Sequence, residues 1–280
     1  MNVDNVRGYY EADPQREWDR LDVMHDRIEY AVTMRALEEY LPGAPATVLD
    51  VGGGPGRYAL ELASRGYGVT LADLSRANLD FARGRAADAG LRVQALEQAD
   101  ARDLSRFDGA AFDVVLLMGP LYHLLAEQDR RAAVQEALRV LRPGGRLFAA
   151  FITRYAPLRF WAKHNPAFVL EHRAKFEEMI ATGQAPDAYG FTDLYLEQPQ
   201  AIVPFMESAG ATSVDLIGCE GVLSMIRDKV NELSREDWDY WIDVNYRLAR
   251  DPATHGIAEH LLYVGERGSR VPEPDAGPRS

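Results

Sequence analysis

The sequence predicts an α/β chain in which strands and helices alternate around one ligand-binding loop, and three observations lead there. Residues Val48-Leu49-Asp50-Val51-Gly52-Gly53-Gly54-Pro55-Gly56 pass from an apolar, β-branched run into a glycine cluster, and Leu60 and Ala63 then resume helical spacing, the pattern of strand, tight loop and helix. A second apolar run, from Tyr67 to Ala72, ends on Asp73, about 20 residues beyond the loop. From 47 to 151 the two periodicities keep alternating, which implies parallel strands joined by right-handed crossovers.

Taken in order, residues 1–14 are polar around a Tyr9-Tyr10 pair. Trp18, Leu21, Met24, Ile28, Ala31 and Val32 then recur at three- and four-residue intervals and predict an amphipathic helix. It runs, with a break near His25, to Tyr40-Leu41, where Pro42-Gly43 stops it. Strands are expected at 47–51, 68–72, 91–96, 112–117 and 146–152. Ser75 is placed to cap a helix beginning near Arg76, and Ala133, Val134, Ala137, Leu138 and Leu141 form the buried stripe of another that ends at Pro143-Gly144-Gly145. Between Tyr155 and Tyr195, helical spacing, prolines at 157, 166 and 186, and the aromatics Phe160, Trp161, Phe168, Phe176, Tyr189 and Phe191 predict an inserted helical cap with no strand of its own. Its aromatics are expected to form a small core and to line an acceptor pocket. A helix at 199–209 closed by Gly210, a strand at 213–218, helices at 222–233 and 234–249, and a last strand at 260–266 follow; the Pro-, Gly- and charge-rich tail from Gly268 is expected to be disordered. The chain thus divides into an N-terminal helical arm (1–44), a ligand-binding core (45–153), the cap (154–198), the rest of the core sheet (199–267) and the tail (268–280).

Composition narrows the function. The 280 residues carry 43 acidic against 31 basic side chains, a formal charge of −12, so nucleic-acid binding would need a local basic patch and is not expected. One cysteine, Cys219, rules out an intrachain disulfide, and no apolar run is long enough to span a bilayer, so a cytoplasmic setting without membrane contact is expected. The abundance of Arg and Ala suggests a GC-rich bacterial genome.

The ligand is read from the loop. Glycines at 52, 54 and 56 let backbone N–H groups approach a ligand closely, and the following helix adds a partial positive charge. The acid at the end of the second strand suits the two hydroxyls of a ribose, in NAD and S-adenosylmethionine alike. A dinucleotide loop reads Gly-x-Gly-x-x-Gly around a pyrophosphate; this one is Asp50-x-Gly52-x-Gly54-x-Gly56, whose carboxylate would repel pyrophosphate and suit an ammonium. At this point the sequence resembles the class I S-adenosylmethionine-dependent methyltransferases over residues 45–155, through VLDVGGGPG, the acid in LADLS, Ala99-Asp100-Ala101, FDVVLLMGPLYHL and LRPGGRLFAAFI. The resemblance implies a Rossmann-like, seven-stranded, mainly parallel sheet with an antiparallel last strand beside the fifth and helices on both faces. It implies S-adenosylmethionine as donor, with Asp50, Gly52, Gly54 and Gly56 around the methionine portion, Asp73 with Leu74 at the ribose, and Asp100 and Ala101 bordering the adenine. N-terminal helices commonly cover the donor site in this family, so Tyr9, Tyr10, Trp18 and Arg27 are candidates to touch donor or acceptor, with Trp18 favoured for packing.

Methyl transfer from a sulfonium is an in-line displacement that needs an acceptor positioned behind the methyl carbon, and a base only where the acceptor loses a proton. The expected acceptor segment is Met118-Gly119-Pro120-Leu121-Tyr122-His123, with Met118 at the donor and Tyr122, His123 and Tyr10 as catalytic candidates; an ordinary imidazole pKa of about 6.5 suits His123 for proton acceptance. His164 and His172 are lesser candidates. The segment lacks the Asn/Asp-Pro-Pro-Tyr/Phe of DNA amino-methyltransferases, and the acids Asp103, Asp108 and Asp113 show no ligand-type spacing, so no metal is expected. The function expected is methylation of a small, largely apolar or aromatic acceptor, a bacterial secondary metabolite, with an indole-containing scaffold methylated on carbon or nitrogen as a special case. A quinone or phenol O- or C-methyltransferase is the near alternative. A nicotinamide-dependent oxidoreductase and a noncatalytic S-adenosylmethionine-binding protein are the alternatives of another class.

Overall fold

A computed structural model describes residues 3–20, 27–185 and 192–268. Five strands, β1 (Thr47–Val51), β2 (Gly68–Asp73), β3 (Ala95–Gln98), β4 (Phe112–Leu117) and β5 (Leu141–Ile152), alternate with helices; β6 (Ala211–Gly218) and β7 (His260–Arg267) complete a seven-stranded sheet of order β3-β2-β1-β4-β5-β7-β6. β1 to β5 pair in parallel, and β7 is antiparallel to both β5 and β6. That is the expected Rossmann-like sheet, with the last strand beside the fifth. The central strands are buried on both faces, which is why they read as continuous apolar runs rather than as alternation. Val48, Val69 and Val114 pack under α3 (Arg27–Tyr40), α4 (Arg57–Ser64) and α5 (Arg76–Asp88), whereas Leu49, Val115 and Leu147 pack under α6 (Glu127–Val140) and α10 (Pro199–Ser208).

The boundaries differ from expectation in several places. Residues 3–12 form α1 (Val3–Ala12) rather than a polar lead, and α2 (Pro14–Arg20) follows after a break at Asp13; Leu21, Met24 and His25 lie outside the described residues. β3 starts at Ala95, not 91, because Leu91 N–H still closes onto the Ala86 carbonyl at the end of α5, and the strand is a half-exposed edge. β5 begins at Leu141, which already pairs with Phe112; the Pro-Gly-Gly turn interrupts the register before Arg146 meets Val114. The cap, α7 (Ala156–His164), α8 (Pro166–Glu171) and α9 (Arg173–Thr182), does contain strand: Gln184–Ala185 pairs antiparallel with Leu194–Tyr195. Tyr189, Phe191 and the tail from 269 lie outside the described residues.

Other expectations hold. Ser75 Oγ accepts the Asn78 N–H at 3.2 Å and caps α5, and Ala133, Val134, Ala137 and Leu138 form the buried stripe of α6. Between β6 and β7 the helix expected at 222–233 is instead divided into a 3-10 turn (Gly221–Leu223) and α11 (Arg227–Asn231); α12 (Arg235–Leu248), capped by Ser234, and α13 (Pro252–His255) follow. Strand order reverses at β1, between β2 and β4, so the sheet's carboxyl edge opens a crevice where the glycine loop sits.

Candidate functional site

A cleft of about 1290 Å³, including its open mouth, lies over that edge. Its floor is Asp50 and Gly52 to Gly54 from the β1 loop, Asp73 and Leu74 from the end of β2, and Met118 and Gly119 from the end of β4. Ala99 to Arg102 and Leu124 form one side, and Val6, Arg7 and Tyr10 of α1 lie over it.

The loop owes its shape to its glycines. Gly52 has φ +66°, and a Cβ there would lie 2.6 Å from Cγ of Pro120; a Cβ on Gly119 would lie 2.7 Å from the Gly52 carbonyl oxygen. The β1 and β4 loops therefore touch backbone to backbone, as only glycine allows. Gly52→Ala is expected to cost about 1–2 kcal/mol through left-handed strain and displaced Pro120, read as a melting temperature lower by several degrees. Gly56 corrects one expectation: it does not line the cleft but, at φ +86°, precedes α4 and packs on Ala82 and Leu71.

The two acids are differently provided for. Asp73 is buried; Oδ2 accepts the Gly54 N–H at 2.8 Å, and Oδ1 accepts Ser75 N–H at 2.8 Å and the Asn78 amide at 3.4 Å. Burial pushes its pKa up, against those hydrogen bonds. Of about four lone-pair sites on a carboxylate, one on Oδ2 is left for a ligand, and a second where the long Asn78 contact gives way. Asp50 is 1% exposed, and its Oδ2 has no hydrogen-bond partner among the described residues. Burial, then the charge of Asp73, push its carboxyl up to about 7, with only the Ala59 backbone N–H opposing. An orphaned buried carboxylate oxygen beside a glycine loop fits an incoming cation, and Asp73 fits a hydroxyl donor.

Asp100 pairs with Arg102 at 2.6 Å, and Arg102 reaches Asp129 at 3.2 Å; burial would raise the Asp100 carboxyl, but Arg102 outweighs it and holds it below the ordinary value. Asp100 and Ala101 line the same cleft as Leu74.

Tyr10 and Tyr122 both line the cleft, and so does His123, but its imidazole is tied at both nitrogens. Nε2 lies 2.8 Å from Tyr10 Oη, and Nδ1 lies 2.8 Å from Thr192 Oγ1. Thr192 Oγ1 in turn lies 3.3 Å from the Asp193 carbonyl and donates to it, so Nδ1 carries the ring hydrogen and Nε2 accepts from the tyrosine. Burial lowers this pKa to about 4, well below the value expected from sequence, and the ring is neutral at physiological pH. His123 thus joins the arm, the β4 loop and residue 192.

Several candidates fall elsewhere. Arg27 corrects a second expectation: its guanidinium lies 4.2 Å over the Trp238 ring, and it does not line the cleft. Tyr9 packs edge-on against Tyr10 under Arg16, and Trp18 packs against Phe81 between Arg57 and Arg85, as favoured. No described cap aromatic lines the cleft. Phe176 and Met179 form a separate core with Trp161 and Phe168, which stack at 3.9 Å, while His172 stacks on Phe168 and His164 lies tilted against Phe160. Among the described residues, those of the arm rather than the cap line the cleft.

The far end of the cleft was missed from sequence. Glu17, Arg20, Glu29, Thr33, Cys219 and His260 line it, with Tyr58, Ala150 and Leu262 as apolar wall. Arg20 Nε lies 3.4 Å from Glu17 and its NH1 3.7 Å from Glu29; Glu29 lies 3.7 Å from His260 Nδ1, which is 2.5 Å from Glu220 Oε1. Glu29, Glu220 and His260 hold ligand-type atoms within 4.8 Å of one another, but Glu220 spends both oxygens on His260 and on the Glu259 and His260 backbone N–H groups, a hydrogen-bonded dyad rather than a cation cage. Two signals were available: Glu29 and Thr33 sit one helical turn apart, and an antiparallel strand puts its first residue, His260, at the carboxyl edge.

Comparison with known proteins agrees with this architecture. Residues 48–145 match the methyltransferase domain family. The chain is similar to a ubiquinone biosynthesis O-methyltransferase of Pseudomonas paraeruginosa, 30% identical over 174 residues, 61% of this chain and 72% of that protein. It is 32% identical over 191 residues to a glycine/sarcosine N-methyltransferase of Parasynechococcus marenigrum, 65% of this chain and 57% of that protein. In structure it resembles an S-adenosylmethionine-dependent methyltransferase of Methanosarcina mazei, with TM-score 0.57 and 18% identity over 84% of this chain and 98% of that one, a likeness of fold.

Proposed function

The chain belongs to the class I S-adenosylmethionine-dependent methyltransferases, and from that premise we propose that it methylates a small, largely apolar or aromatic acceptor enclosed beneath the N-terminal arm. Support comes from the lining of the cleft beyond the glycine loop, where Val6, Met118, Ala150, Leu262 and the rings of Tyr10, Tyr58 and Tyr122 form an apolar wall beside the polar groups Glu17, Arg20, Glu29 and His260. A phenol or quinol is the reading favoured within this class. It agrees with the name of the Pseudomonas relative, and the rings and aliphatic side chains of that wall suit an aromatic acceptor. The indole special case rests on the cap aromatics, and the described ones, Phe176, Trp161 and Phe168, pack among themselves and do not support it.

The donor, when bound, supplies an activated methyl group on sulfur. In this reading the residues of the chain bind and orient. Asp50 faces the ammonium of the donor, the Gly52 and Gly54 backbone lies along its amino-acid portion, and Met118 borders it. Asp73 takes ribose hydroxyls, while Leu74 and Ala101 flank the adenine beside Asp100. Tyr10 and Tyr122 shape the acceptor side, and His123, neutral and doubly hydrogen-bonded, holds Tyr10 in place. No described helix is long and apolar enough to cross a membrane, and the single buried Cys219 suits a reducing, cytoplasmic setting.

Calorimetry with S-adenosylmethionine, S-adenosylhomocysteine and NADH, followed by labelled-methyl transfer to alkylated phenols and hydroquinones, tests the proposal. Micromolar binding of both sulfur nucleosides, none of NADH, and transfer to at least one phenol are expected. Tight nucleoside binding without transfer to phenols, amines or carbon acceptors would instead favour a noncatalytic binding protein.

A further inference from the structure

At the end of the cleft away from the glycine loop, β7 runs antiparallel to β5, so its first residue, His260, pairs with Ile152 at the same carboxyl edge that carries the β1 and β4 loops. From β1 to β7 is three strand spacings, on the order of 14 Å. The cleft therefore continues past Met118 and Ala150 into a second compartment with His260 in its wall.

That imidazole is held as an acid–base group is held. Glu220 is buried, and its Oε2 accepts the backbone N–H groups of Glu259 at 3.0 Å and His260 at 2.8 Å, clamping the start of the strand. Its Oε1 lies 2.5 Å from His260 Nδ1. Burial alone would raise the Glu220 carboxyl, but the charge that His260 carries when protonated, with the hydrogen bonds from its ring and backbone, brings it below its ordinary value, so it is an ionised acceptor. An ionised carboxylate has no hydrogen to give, so Nδ1 carries the ring hydrogen, and in the neutral ring the lone pair is on Nε2. Among the described residues, the other charges facing His260 include Glu29 from α3, 3.7 Å away, and, through Glu29, Arg20 of α2; Glu259 turns instead to Ser224 and Arg227. None of this is needed to bind the donor, and His123, which burial holds as a weak base with a pKa of about 4, does not fill the role.

We propose that His260, positioned by Glu220, takes the proton from a phenol-type hydroxyl of the acceptor as it is methylated; this rests on the acceptor reading above and specifies its reacting group. The hydroxyl O–H bond breaks and its proton passes to Nε2. The oxygen's electron pair forms the O–CH3 bond, while the S–CH3 bond breaks and leaves its pair on sulfur. The resulting imidazolium is stabilised by Glu220 and returns its proton to water when product leaves. A phenol suits the site because its proton is lost in a range an imidazole can meet, and its ring suits Tyr58, Ala150 and Leu262.

The test uses the full chain saturated with S-adenosylhomocysteine and 4-nitrocatechol as probe, whose phenolate absorbs at longer wavelength than the phenol. The parent protein should bind the probe with its apparent pKa lowered by about one pH unit or more, and His260→Gln should abolish that displacement. With S-adenosylmethionine, His260→Gln should lower kcat about a hundredfold while S-adenosylhomocysteine affinity stays within about twofold. Glu220→Gln should lower kcat about tenfold and move the acidic limb of the kcat/KM profile to lower pH, since removing a negative neighbour lowers the imidazole pKa. Should that buried variant not fold, His260→Gln, which leaves the Glu220 clamp on the backbone intact, carries the test. Retention of kcat within threefold in His260→Gln, or loss of donor affinity in step with turnover, would overturn the proposal. So would failure to bind the probe while S-adenosylhomocysteine still binds, or transfer confined to amines or carbon. Failure to bind S-adenosylhomocysteine at all would strike the donor site instead.

Discussion

Replacing Asp50 by asparagine is expected to stabilise the ligand-free protein and to weaken donor binding in the same variant. The carboxyl is 1% exposed, lies beside the charge of Asp73, and has a pKa of about 7 against an ordinary 3.8. The sign follows from proton counting. Between pH about 4 and about 7 the folded chain holds a proton on Asp50 that the unfolded chain has released, so stability falls as pH rises through that window. Above it, the cost of holding the bare carboxylate is about 4 kcal/mol, three pH units at 1.36 kcal/mol each. An amide at this position does not ionise, so at pH 8 the melting temperature of Asp50→Asn should exceed the parent's by roughly 5 °C or more, with the difference closing towards pH 5. The donor reports the opposite. Losing a charged partner for its ammonium should cost about 1.5–3 kcal/mol, a 10- to 100-fold rise in Kd. Parent affinity should strengthen as pH passes upward through 7, and the variant's should not. Melting curves and calorimetry across pH 5–8 measure both; unchanged affinity in the variant would mean that the orphaned oxygen does not face the donor.

What could be read from the sequence is what is local in it. The glycine loop, the acid closing β2 and the Ser75 cap each state their role within a few residues, because φ angles, hydrogen-bond reach and burial there are set by near neighbours. Gly56 shows the limit: it shares the spacing of Gly52 and Gly54, yet its φ serves the entry to α4 and its side faces Ala82, which no spacing reveals. The polar wiring joins residues far apart in the chain. Tyr10 meets His123 across 113 positions, and Glu220 meets His260 across 40, so neither pair leaves a periodic trace. Arg27 illustrates the converse error. It stands in the helix expected to reach the ligand, but its face of α3 turns to Trp238, while Glu29, two residues on, turns to the cleft. Aromatic content in the cap foretold its small core but not which rings turn to a ligand: composition counts rings, and whether Trp161 and Phe168 face a ligand or one another is decided by packing.

Asp73→Ala is expected to be the more damaging change to binding. In the ligand-free protein Asp73 already organises the crevice by joining the β1 loop, through Gly54 N–H, to the start of α5, through Ser75 N–H and Asn78. Alanine leaves those donors without the carboxylate and removes the acceptor sites offered to the ribose. Each hydrogen bond to a charged group contributes about 1.5–3 kcal/mol, so losing one ribose contact together with the ordered loop should raise the S-adenosylhomocysteine Kd by at least about 100-fold. Because Asp73 also raises the Asp50 carboxyl, its removal should lower the midpoint of the pH dependence of whatever donor affinity remains. The two effects separate the roles: a fold defect alone would lower the melting temperature without moving that midpoint, whereas loss of a ribose contact alone would weaken S-adenosylhomocysteine but spare a donor fragment lacking the sugar. Calorimetry with S-adenosylhomocysteine and with methionine, each at pH 6 and pH 8, distinguishes them. Equal weakening of both ligands at both pH values would show that Asp73 acts only by holding the loop.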